Sequence, residues 1–182
     1  MLKVVAATFH EVVSNDTRRD VLVYVAFPQT SQDAHFAILP TLAAATRLLR
    51  APAAEGGAGD GIEVAYFDGD VNDAPPPHAR GAATPGLILY PAHGKVTPRY
   101  IQRVAEGQLT LYDVLYFVAA TAGRDDVADA AAKLLRTLPD EQLLARPWEA
   151  EAEEFADPAW PPAAARARDA AAAEEDEDDA EL

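Results

Sequence analysis

The chain has 182 residues, a formal charge of −15 at pH 7 and no cysteine. Disulfide exchange runs through a thiolate and a mixed disulfide, so the missing thiol excludes that chemistry, together with structural disulfides, iron–sulfur clusters and cysteine-ligated zinc. Residues 1–148 carry 17 acidic and 13 basic side chains, whereas 149–182 carry 13 acidic ones and only Arg166 and Arg168 as basic ones. This balance argues against nucleic acid and anionic membrane surfaces as partners. No apolar run approaches the ~20 residues that span a bilayer, so no membrane insertion is expected. Met1–Val13 lacks the basic start, apolar stretch and small-residue cleavage site of a signal peptide.

In chain order, Leu2–Ala6 is β-branched and apolar, and His10–Val13 predicts a helical turn. Val21–Phe27 is too continuously apolar for a strand with one wet face, so it is expected to be a buried central strand. Phe36, Leu39, Leu42, Ala43, Thr46 and Leu49 recur at helical spacing over His35–Arg50, with Pro40 inside the pattern, which predicts a kinked helix. Residues 51–61 read as a flexible loop and Ile62–Asp68 as a second buried strand. Asn72 or Asp73 is placed to cap a short helix starting at Pro75; Gly86–Tyr90 and Tyr100–Val104 follow as strands, and Leu111–Ala122 as an amphipathic helix. The order describes an α/β sandwich with a mixed central sheet.

The blocks DVLVYVAFP, the Pro40 helix, VAYFDGDVNDAP, TPGLILYP and AEGQLTLYDVLYFV, in this order and spacing, resemble a catalytic-type domain of the protein disulfide isomerase family. The opening LKVVAATFHEVV is similar to the start of that family's C-terminal thioredoxin-like domain. The resemblance covers residues 1–122 and implies a thioredoxin-like fold, residence in the endoplasmic reticulum lumen, and a place as the C-terminal module of a longer protein whose natural start precedes Met1. It also implies that Thr84-Pro85 is the cis peptide facing the site.

The family's Cys-x-x-Cys falls within QTSQDAHFAIL, which is two residues longer than the family pattern. The two thiol positions map onto Thr30 and Asp33 or onto Gln32 and His35. The resemblance further puts the family's buried glutamate on Tyr24, its lysine on Tyr66, its tuning arginine on Leu109 and the tryptophan before the motif on Gln29. A buried glutamate–lysine pair is costly and is kept where it tunes a reacting group. Once the thiol is lost, apolar or amphipathic replacements are expected to favour stability.

The other chemistry-bearing residues have simpler roles. Asp33 is placed to act as an N-cap rather than, with His35, as a metal ligand. Ser31 and His35 lack a third group or an oxyanion loop and read as a polar loop. His10, His78 and His93 are expected at the surface, Pro75-Pro76-Pro77 as a rigid turn rather than an SH3-type ligand, and AEGGAGDG as a loop without phosphate-binding spacing. No cofactor or metal site is expected. The candidate peptide-binding residues are Phe27, Pro28, Gln29, Phe36, Thr84 and Pro85, where backbone groups before the proline can pair with an extended peptide. Phe27 and Phe36 have core positions as the competing reading.

Residues 123–148 form a helical extension: Arg124–Leu138 is amphipathic, with Asp125 and Asp126 in its first turn and Lys133 and Arg136 near its end, and Pro139 stops it. Leu143, Leu144 and Trp148 are expected to pack onto the domain or onto a partner. Residues 149–182 are an acidic Ala/Glu/Asp-rich tail too poor in core formers to fold alone, able to attract Ca²⁺ at low affinity. Its terminal DAEL departs from the KDEL retrieval signal at two positions. Two functions remain open: a redox-inactive module that holds unfolded or client polypeptide without covalent capture, or an interaction or assembly subunit whose extension or tail makes the contacts.

Overall fold

The computed structural model describes residues 1–73, 86–101 and 109–145. The strands are β1 (Leu2–Val4), β2 (Asp20–Ala26), β3 (Ile62–Asp68), β4 (Gly86–Tyr90) and β5 (Arg99–Ile101). Helix α1 (Ala6–Phe9) widens into a π-type turn over His10–Ser14, and α2 (Gln32–Leu49) follows β2. Helices α3 (Leu111–Thr121), α4 (Asp125–Thr137) and α5 (Asp140–Leu143) follow β5. Among the described residues, no helix is long and apolar enough to cross a membrane.

The sheet order is β1-β3-β2-β4-β5. β1, β3 and β2 run parallel, while β4 is antiparallel to β2, and β5 to β4. Five mixed strands in this order, with helices on both faces, form a thioredoxin-like fold. The continuous apolar run in β2 reflects burial on both faces. Val21 and Val23 pack with Phe9, Val13, Phe67 and Tyr90 on one side, and Leu22, Tyr24 and Ala26 with α2, α3 and α4 on the other.

Local details depart from the sequence reading. Helix α2 begins three residues before His35; as expected it contains Pro40, whose missing N–H leaves the Phe36 carbonyl without its helical donor. Residues 51–61 are an ordered pair of turns rather than a flexible loop, closed by Ala58 N–H to Leu49 C=O at 2.7 Å and Gly59 N–H to Ala51 C=O at 2.9 Å. A Cβ at Gly57 would stand 2.2 Å from the Ala51 oxygen, which explains glycine there. The expected helix at Pro75, Thr84-Pro85, His78, Trp148 and the tail lie outside the described residues. The Tyr100–Val104 strand is present as Arg99–Ile101, its remainder also lying outside them.

At the start of β2 the Asp20 carboxylate, fully buried, ties three segments together. Oδ1 accepts the backbone N–H groups of Ala92 at 2.7 Å and Gly123 at 2.9 Å, and Oδ2 accepts that of Arg124 at 3.1 Å. Gly123 permits this approach, since a Cβ there would lie 2.8 Å from Pro91 Cβ. Beside it Lys95 Nζ donates to the Arg19 and Tyr90 carbonyls at 2.7 and 3.1 Å; burial pulls its pKa down to about 8 against the opposing pull of Asp20 and Asp16. Through Gly123 and Arg124 the helical extension is fixed to the sheet. α4 packs on α3 and α2, and Leu143 of α5 is buried in the same core.

Asp20→Ala strands one buried and two partly buried N–H groups, so it is expected to lower stability by about 2–4 kcal/mol, with Asp20→Asn intermediate because it keeps one acceptor oxygen. Urea unfolding measures this. An Asp20→Ala midpoint equal to that of the parent would contradict it.

Candidate functional site

The parallel strands β2 and β3 end side by side, and the chain leaving β2 turns through residues 27–31 into α2. Ligands of open α/β sheets bind at this end of the strands. The β2–α2 turn is held from two sides. Ser31 N–H donates to Phe27 C=O at 2.7 Å, and Asp70, just beyond β3, accepts Gln29 N–H on Oδ2 at 2.6 Å and the Thr30 hydroxyl on Oδ1 at 2.7 Å. Asp70 is itself positioned by its N–H bonding to Asp68 Oδ1 at 3.1 Å. Gly69 donates to Ala26 C=O and lies under Phe27; a Cβ at this position would meet the Phe27 ring at 2.5 Å.

Ser31, not Asp33, is the N-cap residue of α2; its side chain makes no capping bond, and Asp33 occupies the first turn, where its charge complements the helix dipole. His35 is not in a polar loop. It lies inside α2, 2% exposed, because the helix starts early enough to turn this position against the sheet. Its ring stacks on Tyr24 with centroids 5.8 Å apart and planes 8° apart, and lies 5.8 Å from Tyr66 and 5.5 Å from Phe36. Tyr24 and Tyr66 are register partners on β2 and β3 and therefore share a face. The Tyr24 hydroxyl is 3.3 Å from His35 Nδ1 and donates to it in the Nε2–H tautomer. The Tyr66 hydroxyl is buried with no hydrogen-bond partner among the described residues.

Burial fixes the protonation of this cluster. Desolvation pushes His35 down to about 4, opposed by the Asp70 carboxylate, and raises the pKa of both tyrosines, for Tyr66 with help from Asp68 and Asp70. All three rings are neutral at pH 7. Ser31 and His35 are joined through the backbone, His35 N–H to Ser31 C=O at 3.0 Å, but no hydrogen bond links the Ser31 hydroxyl to the imidazole among the described residues, so the pair is not a nucleophile with its base.

The candidate binding residues divide by exposure. Phe27 is half-buried, Pro28 is buried, Gln29 is exposed and Phe36 is 40% exposed. Neither phenylalanine belongs to the two core clusters. Thr84 and Pro85 lie outside the described residues. His10 and His93 are exposed, and Leu109 is buried at the start of the α3 segment. The family resemblance put Tyr24 and Tyr66 on a buried pair of positions, but sequence reasoning missed that His35 joins them. It also missed Asp70, for which the signal is the DGD at the end of β3.

These features define a class: a thioredoxin-like domain whose strand-end site is built of neutral aromatic and imidazole groups, with no thiol in the chain. No family model matches this chain, and a search of curated proteins finds no match.

Because the folded pKa of His35 lies below its ordinary 6.5, the unfolded chain binds the extra proton between about pH 6.5 and 4. Its contribution to stability is complete above that window, declines as pH falls through it, and changes no further below about pH 4. The loss expected is roughly 2–3 kcal/mol. Urea midpoints for parent and His35→Gln across pH 4–7 read it out: the parent's decline is expected to exceed the variant's, and identical slopes would contradict a neutral, buried His35.

Proposed function

We propose that this chain is a redox-inactive thioredoxin-like module that holds extended polypeptide non-covalently, in the manner of a folding factor resembling the protein disulfide isomerases and resident, with them, in the endoplasmic reticulum. The supporting observation is the partition of aromatics at the strand ends. Tyr24 and His35 bond to each other inside, with the Tyr66 ring packed against both, whereas Phe27 and Phe36 stay outside the core on either side of a turn pinned by Asp70. A rigid turn flanked by accessible apolar rings suits an extended chain with alternating apolar side chains. Affinity is expected between micromolar and millimolar, about 4–8 kcal/mol, since the apolar area is small and nothing is captured covalently.

A second reading, an interaction subunit contacting its partner through the extension, is supported by Leu144, 57% exposed next to the buried Leu143. Backbone amide shifts of the full chain, titrated with a reduced unfolded polypeptide, separate the two. Shifts centred on residues 27–36 are expected. Shifts confined to residues 124–145, or abolished by neutralising the acidic residues 174–179, favour the second reading instead. In an insulin-reduction assay the chain is expected to give only the no-protein rate; turnover above it would overturn the redox-inactive reading.

A further inference from the structure

The charges around the site differ in kind from those at the other end of β2. At the far end the carboxylates have cations: Asp16 pairs with Arg19 at 2.6 Å, Glu63 with Arg19 at 3.4 Å and Arg50 at 3.1 Å, and Asp126 with Arg124 at 2.7 Å. At the site end Asp33, Asp68 and Asp70 have no ion pair among the described residues. Asp70 is committed to the 29–30 turn through neutral donors, which leave its charge uncompensated. Asp33 is exposed in the first turn of α2, three residues before Phe36 and so on the same side of the helix. The apolar rim of Phe27 and Phe36 is thus bordered by uncompensated negative charge, in a chain already at −15.

We infer that the site selects extended polypeptide segments in which lysine or arginine flanks aromatic or long aliphatic residues, and discriminates against acidic segments. The inference rests on the polypeptide-binding reading and adds the client class. The apolar rings supply contact area, while Asp33 and Asp70 supply the sign. A cationic flank gains attraction and faster encounter, and an anionic flank meets repulsion from Asp33 and Asp70, neither of which has an ion pair among the described residues. Asp68, buried at the strand end, orients Asp70 and adds to the local field.

The test uses the full chain and three unstructured fluorescent peptides with identical aromatic and leucine spacing and either Lys, Gln or Glu at the flanking positions, read by anisotropy. At low salt the Lys peptide is expected to bind roughly tenfold tighter than the Gln peptide and the Glu peptide weaker than both, with the spread collapsing in 0.5 M NaCl as screening shortens the Debye length. Asp33→Asn, an exposed and structurally mild change, is expected to remove about half of the Lys preference on a logarithmic scale, and Asp33→Asn/Asp70→Asn most of it. Equal binding of all three peptides overturns the selectivity and leaves polypeptide binding intact. A Lys preference undiminished in both Asp33→Asn and Asp33→Asn/Asp70→Asn overturns it as well, by moving the attraction elsewhere on this acidic chain. Binding of none of the three overturns the polypeptide-binding reading, and the selectivity with it.

Discussion

Strand β2 is covered on both faces along its length, so every polar group it carries must be satisfied from inside the protein. It carries two. At its start the Asp20 carboxylate gathers N–H groups from the β4–β5 connection and from the α3–α4 junction, and near its end the Tyr24 hydroxyl meets His35 Nδ1. The first contact fastens the helical extension to the sheet. The second closes the strand-end site from within. An unpaired polar group in either place would cost free energy comparable to a lost buried hydrogen bond, so both ends of one strand constrain what their neighbours can be.

Seen this way, the composition of the site follows from the absence of a thiol. A reacting sulfur gains from a buried carboxylate or ammonium nearby, whereas a site without one bears only the desolvation cost of such groups. Tyrosine at 24 and 66 and histidine at 35 are amphipathic rings that fill the volume, stay neutral and pack on one another, with Tyr24 bonded to His35. The charge that remains lies on Asp33, Asp68 and Asp70; Asp68 is buried, whereas Asp33 is exposed and Asp70 half-buried, where water solvates them and a ligand can meet them. Structural polarity and surface charge are thereby separated over a few residues.

The strands were legible because β2, β3 and β4 are buried, and their apolar runs stop within a residue of the observed ends. Helix α4 was legible from its dipole-matched charges, and it ends one residue before Leu138. The start of helix α2 is not legible because its first turn, Gln32-Asp33-Ala34, offers no apolar periodicity, and the buried residue that follows is His35, a residue type that does not announce burial. The order within residues 51–61 was invisible for another reason: Gly56 and Gly59 at φ +94° and +57° look like flexibility in a sequence, yet here they permit turns that backbone bonds then lock. The aromatic cluster needed the register Tyr24↔Tyr66, which only pairing of the two strands supplies.

The central claim is that contact with polypeptide is made by the strand-end turn and the first turns of α2, not by the extension. A photoreactive phenylalanine analogue at position 36, and in a separate sample at position 144, tests it most directly, because Phe36 and Leu144 are both exposed. With a reduced, unfolded client in excess, the account predicts strong adduct formation from position 36 and little from position 144. Adducts formed only from position 144 would contradict it.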